Sequence, residues 1–265
     1  MSAPFVPSVI LAALDLADPS WRPVLLQGLQ AVAAADPDYL PALVSAPYLP
    51  SEQRLFAAFA QPQGDVACIL VGEGPYPRAA SATGFCFMDG AVESLWSEHG
   101  LSKPVNRATS LRNFIKMLLV ADGQLSASNT TGAALSPVAA AARSNGAIQT
   151  LSQLQDNLMR HGFLLLNAAL VFRDHVAPLK DAKAWQPFLQ TVLAALAERA
   201  QKKSVEGRAA PVLVLWGKLA EQLQRLPVSA RFPQVVSEHP YNLSFIVNPA
   251  MQALFGPMHL LRASA

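Results

Sequence analysis

Four short apolar runs, each closed at once by a turn-forming or polar cluster, limit the folds open to this chain more than any other feature. Val66–Val71 ends at Gly72, Phe163–Leu166 at Asn167, Val212–Trp216 at Gly217, and Val235–Val236 shortly before His239. Runs this short, without polar alternation, read as strands buried on both faces. Between them the period changes to that of a helix. Leu111, Phe114, Ile115, Leu118 and Leu119 share one face, as do Leu151, Leu154 and Leu158, and then Trp185, Phe188, Leu189, Val192, Leu193 and Leu196. Strand alternating with helix predicts an α/β chain with a four-stranded, mainly parallel sheet flanked by helices, an α/β/α arrangement. Ligands of such sheets bind beyond the carboxyl ends of the strands. Glu73, Asn167 and His239 each stand just past such an end, so three residues far apart in sequence are expected to converge.

Nothing in the 265 residues marks a linker, which predicts a single domain over 1–265. A hydrophobic share of 52% against 14% charged residues suits a large interior and excludes a disordered chain. The longest apolar stretches are broken by Asp, Pro or Arg before they reach bilayer length, and MSAPFVPSVILAALDLADPS has no basic segment ahead of its apolar run. The expectation is a cytoplasmic protein without a membrane partner. Two cysteines, Cys68 and Cys86, supply neither a disulfide framework nor four metal ligands, so no metal or other cofactor is expected. A net charge of +2 permits nucleic-acid binding through a local patch without requiring it. Residues 121–149, ADGQLSASNTTGAALSPVAAAARSNGAIQ, are nearly uncharged and read as a surface insertion with one short helix.

Set side by side, the segments that follow the strands resemble the uracil-DNA glycosylase superfamily, its family-1 type most closely. GEGPYP (Gly72–Pro77) is similar to that family's water-activating GQDPYH loop, and ATGFCF (Ala82–Phe87) to the GLAF segment after it. LLLNAALVFR (Leu164–Arg173) is similar to LLLNTVLTVR, VLVLWGKLAEQ (Val212–Gln222) to FLLWGxxAQ, and HPYNLS (His239–Ser244) to HPSPLS. The matches run in family order over about Val66–Leu261, while residues 1–60 match no named segment.

The resemblance implies a site for cleaving the N-glycosidic bond of deoxyuridine in DNA, single- or double-stranded. That reaction builds positive charge on the sugar and negative charge on uracil O2, and so asks for a carboxylate and an anion-stabilising donor. His239 would donate to O2 as a neutral imidazole. Asn167 would pair with uracil N3–H and O4 and reject cytosine. Phe87 would stack on the flipped base and Tyr76 would press against C5, excluding the methyl group of thymine, with Gly72 and Gly74 completing the base pocket. Leu243 would enter the gap left in the duplex. Ser110 and Ser244 are candidate phosphate partners, and Arg78, Arg107 and Lys218 a basic rim.

The catalytic loop departs from the pattern. Where family 1 has Gln and Asp after the first glycine, this chain has Glu73 and Gly74, and Pro77 replaces the terminal histidine. The iron–sulfur branch of the superfamily carries GEAPG, with a glutamate second, so Glu73 is expected to supply the carboxylate. Its cluster is not expected here, because two cysteines cannot supply four ligands. The HPYNLS loop carries Tyr241 and Asn242 where the family has Ser and Pro. The expectation is a monomeric, monofunctional glycosylase that leaves an abasic site; no lysine for a Schiff base lies in a matched motif. Two alternatives stay open: a glycosylase-derived binding protein silenced by Gly74, and a generic α/β domain that binds some other nucleobase or nucleotide.

Overall fold

The computed structural model describes residues 5–204 and 209–263. Six strands form: β1 Cys68–Gly72, β2 Trp96–Ser97, β3 Gly100–Leu101, β4 Phe163–Asn167, β5 Val212–Trp216 and β6 Gln234–Ser237. The four expected strands build one sheet in the order β4-β1-β5-β6, flanked by helices, while β2 and β3 make a small antiparallel ribbon. β1 lies parallel to β4, with Cys68 opposite Phe163 and Gly72 opposite Asn167, and parallel to β5, with Ile69 opposite Leu213. The chain is thus an α/β protein with a parallel sheet, as its alternating pattern predicts. Among the described residues no helix is long and apolar enough to cross a membrane.

The described residues gather into two compact units. The first comprises Met1–Asp89, Gly162–Val214 and Gln222–Gln234, and the second Gly90–His161, Leu215–Glu221 and Val235–Ala265.

In the first unit the helix Arg22–Ala35 packs on the long helix Pro178–Ser204. Within residues 5–60, which match no named segment, several side chains prove to be core. Trp21 meets Phe59 edge-on at 5.0 Å, and Phe56 and Phe59 reach Phe188 at 5.9 and 6.0 Å, with Trp185 a further 5.4 Å from Phe188. All five rings are buried. A polar knot secures the segment that follows β4. Arg173 grips the buried Asp181 with both arms of its guanidinium, Nη2 to Oδ1 at 2.6 Å and Nε to Oδ2 at 3.2 Å, and the Tyr39 hydroxyl donates to Oδ1 at 2.6 Å. A charged pair taken this far out of water is tolerable because its geometry is bidentate and a third group shares the carboxylate. Burial, followed by the Asp181 contact, pushes the Tyr39 phenol far above its ordinary range.

In the second unit the helix Thr109–Ala121 buries Leu111, Phe114, Ile115, Leu118 and Leu119, the face its period predicts. It packs on the short 3-10 turn Leu243–Val247 and the helix Pro249–Phe255. Phe114 stands edge-on to Phe255 at 5.1 Å, and Trp216 edge-on to Phe245 at 5.4 Å. The insertion does more than fill space. Its helix, Gly132–Ala142, buries Leu135, Ala139 and Ala142 and packs on the β2–β3 ribbon.

Candidate active site

The first unit holds Gly72, Glu73, Gly74, Tyr76, Arg78, Phe87 and Asn167, and the second holds Arg107, Ser110, Lys218, His239, Leu243 and Ser244.

Parallel pairing places Asn167, the last residue of β4, beside Gly72, the last of β1. A methyl group on Gly72 would stand 3.0 Å from Asn167 Oδ1 and 2.8 Å from Cys86 Cβ. The glycine therefore gives the carboxamide room to lie across the end of β1, a close approach that any Cβ would block. Asn167 is buried, and its Oδ1 accepts no hydrogen bond among the described residues. Beyond the strand ends the two chains stay joined: Ala168 N–H donates to Gly72 O at 2.8 Å and Ala169 N–H to Glu73 O at 3.1 Å. Glu73 is thereby held by its backbone while its side chain is exposed. Gly74 lies outside the left-handed region, and a Cβ there would meet Ala169 at 3.6–3.7 Å, ordinary contact distance. Nothing in the backbone reserves that position for glycine.

The ATGFCF segment is tied to the same strands. Cys86 N–H donates to Leu165 O at 3.0 Å, and the Cys86 thiol reaches Leu70 O at 3.3 Å. Complete burial pushes that thiol well above its ordinary range, so it is a packed side chain and not a nucleophile. The alternation of Phe85 and Phe87 suggests a strand, yet none forms here. Phe87 instead adopts φ 65, left-handed backbone that a bulky residue rarely enters. Its carbonyl accepts the Tyr76 hydroxyl at 3.4 Å, which brings the two aromatic candidates together. Burial, then Asp89, then Cys86 push the Tyr76 phenol to about 12, so it remains a neutral donor. Arg78 is exposed, with Nη2 3.6 Å from Oδ2 of the buried Asp89.

In the second unit Gly217 follows β5 at φ 61, and a Cβ there would come within 2.8 Å of His239 Cβ. Positive φ and close approach both call for glycine. The exposed His239 ring has its tautomer set by the chain: Tyr241 N–H donates to Nδ1 at 3.1 Å. An accepting Nδ1 carries no proton, so the neutral ring keeps its hydrogen on Nε2. Beneath the loop, the buried Asn113 donates from Nδ2 to Pro240 O at 2.8 Å, with the carbonyls of Tyr241 and Asn242 at 3.3 and 3.4 Å. Glu238 accepts from Asn248 Nδ2 at 2.8 Å. Burial pushes its carboxyl up, but hydrogen bonds from Ser244, its own backbone and Asn248 outweigh that and hold it below its usual value. Leu243 is exposed on the 3-10 turn, Arg107 and Lys218 are exposed, and Ser110 is half-buried in the first turn of its helix.

No protein-family model matches the chain. A uracil-DNA glycosylase of Parafrankia is 28% identical over 228 residues, covering 85% of this chain and 81% of its own length, and one of Corynebacterium glutamicum is 28% identical over 248 residues, covering 92% and 86%. The crystal structure of wild-type UNG from Nitratifractor salsuginis superimposes with a TM-score of 0.85 at 37% identity, covering 96% of this chain and 97% of that one. The chain belongs to the uracil-DNA glycosylase superfamily.

Within this superfamily member, some site residues escape sequence reading. Asn113 lies on an apolar helix face, where a lone amide looks like a tolerated exception; its total burial was the missing signal. Asp89 and Glu238 look like ordinary surface carboxylates until their partners are seen. Asn113→Ala should leave the Pro240 carbonyl without its buried donor and cost about 1–3 kcal/mol. Differential scanning calorimetry would read this as a melting point lower by ~2–4 °C per kcal/mol, and an unchanged melting point would remove Asn113 as the loop's anchor.

Proposed function

We propose that this chain is a monofunctional uracil-DNA glycosylase that hydrolyses the bond between uracil and deoxyribose in DNA and leaves an abasic site. Its relatives and structural neighbours carry that activity in their names. The observation that carries the reading onto this chain is Asn167. Its buried amide oxygen accepts nothing from the described residues, which leaves it open to a donor on a bound base. Uracil presents N3–H, a donor; cytosine presents a bare N3 lone pair. The amide nitrogen would then donate to uracil O4, and Phe87 and Tyr76 would enclose the ring of the flipped base.

In the reaction, water oxygen attacks C1′, the C1′–N1 bond breaks, and its electron pair passes into uracil as charge on O2. Glu73 accepts the water proton and faces the sugar cation during bond breaking. His239 donates from Nε2 to O2, with its tautomer held ready by Tyr241 N–H. Leu243 enters the space vacated by the extruded nucleotide, and Arg78, Arg107, Ser110, Lys218 and Ser244 are each candidates for contact with DNA phosphates. The partner is uracil-containing DNA, met by a monomer in the cytoplasm.

The test is a labelled oligonucleotide with one deoxyuridine, incubated with the protein and then cleaved by alkali. A break at the deoxyuridine is expected, and no break after prolonged incubation would overturn the assignment. Asn167→Asp should reduce excision at least ~10-fold and weaken discrimination against cytosine, because the ionised carboxylate loses the amide donor and repels O4. Unchanged excision in that variant would remove Asn167 from the site.

A further inference from the structure

The loop His239–Ser244 presents two large apolar side chains to solvent: Tyr241 is 67% and Leu243 68% exposed. The leucine has a role in the proposed function, the tyrosine none. Aromatic rings are usually sheltered, because they carry so much apolar surface. Tyr241 also has a rigid base. Its N–H is tied to His239, its carbonyl lies 3.3 Å from the buried Asn113 amide, and the chain turns tightly beneath it, Asn242 N–H donating to His239 O at 2.9 Å. A ring held out on a fixed backbone loses little conformational freedom when a flat partner lands on it.

We propose that Tyr241 is a stacking platform for an unpaired base next to the target nucleotide, and that this loop suits the protein to uracil in single-stranded or locally melted DNA. This inference rests on the proposed glycosylase function. In a duplex, each base face is covered by its neighbour, and Tyr241 could reach one only at the cost of unstacking. A single strand offers open faces at every step, and stacking on an aromatic side chain tolerates any base. Leu243, without a π-face, fills a gap instead, so the two side chains favour different states of the DNA.

The test uses the full chain and a single strand in which a non-cleavable 2′-fluorinated deoxyuridine is flanked by 2-aminopurine, with the matching duplex in parallel. Tyr241→Ala should weaken single-strand binding about 10- to 100-fold, abolish the quenching of 2-aminopurine, and affect the duplex much less. The factor should be the same at low and high salt, because stacking releases no counterions. On cleavable single strands the loss should fall on KM and not kcat, and Tyr241→Phe should restore most of the affinity. Equal single-strand binding by Tyr241→Ala and wild type would overturn the proposal. So would a loss dominated by kcat on both substrates, which would mean that the loop had shifted and taken His239 with it. If the wild type excised uracil from no strand, the glycosylase reading would fail, while the affinity and quenching measurements would still decide whether Tyr241 stacks.

Discussion

Glu73→Gln is expected to slow uracil excision by at least ~10²-fold while DNA affinity stays within a small factor of wild type. The substitution keeps the shape and the hydrogen-bonding reach of the side chain and deletes only the charge. The backbone of residue 73 should not move, since its carbonyl is held by Ala169 N–H at 3.1 Å whatever the side chain. Single-turnover excision and gel-shift affinity, measured together, separate loss of chemistry from loss of binding. Wild-type speed in Glu73→Gln would sink Glu73 as the catalytic carboxylate. The companion change is Gly74→Asp, which places a carboxylate where family 1 carries its aspartate. Ordinary backbone and 3.6–3.7 Å of clearance at position 74 allow the side chain. Excision by this variant should equal or exceed wild type, and in the Glu73→Gln background it should recover part of the lost rate.

His239→Ala is expected to lower kcat by about 10²- to 10³-fold, the usual loss when a donor to a developing oxyanion is removed. The ring is exposed and supports no core, so the melting temperature should hardly change. Gly217→Ala approaches the same residue from behind, since its new methyl would crowd His239 Cβ at 2.8 Å. If His239 acts through position and tautomer, Gly217→Ala should lower kcat in the same direction without touching the imidazole. A His239→Ala variant with unchanged kcat would leave uracil O2 to other donors.

β1, β4 and β5 were legible because they are buried and end abruptly: Val212–Trp216 in the sequence is β5 in the structure, and the run ending at Leu166 gains only Asn167, whereas β6, expected from Val235–Val236 to be buried on both faces, is half-buried with Val236 exposed at the sheet's edge. Helix faces such as Leu111–Leu119 were legible for the same reason, periodic burial. The β2–β3 ribbon was not, because two residues per strand are too few to show a period. Residues 1–60 carried no motif, yet Trp21, Phe56 and Phe59 prove to be core, since packing leaves only hydrophobicity in a sequence. Within the candidate site, residues with distinctive chemistry after a strand, Glu73, Asn167 and His239, could be picked out by position. What could not be picked out depends on contacts between distant segments: the hold of Asn113 on the loop at 240–242, the pairing of Arg78 with Asp89, and the left-handed turn at Phe87.

That turn has a consequence for laboratory evolution. A phenylalanine held at φ 65 costs the fold about 1–3 kcal/mol, a sizeable part of a typical margin of ~5–15 kcal/mol. Glycine at 87 would relax the backbone, so a library selected for heat resistance alone would drift toward Phe87→Gly and discard the ring proposed to stack on the base. Selection for excision would restore the aromatic and the strain with it. Position 87 is thus a point where heat resistance and turnover pull in opposite directions, and a heat-stable variant of this enzyme has to find its gains elsewhere.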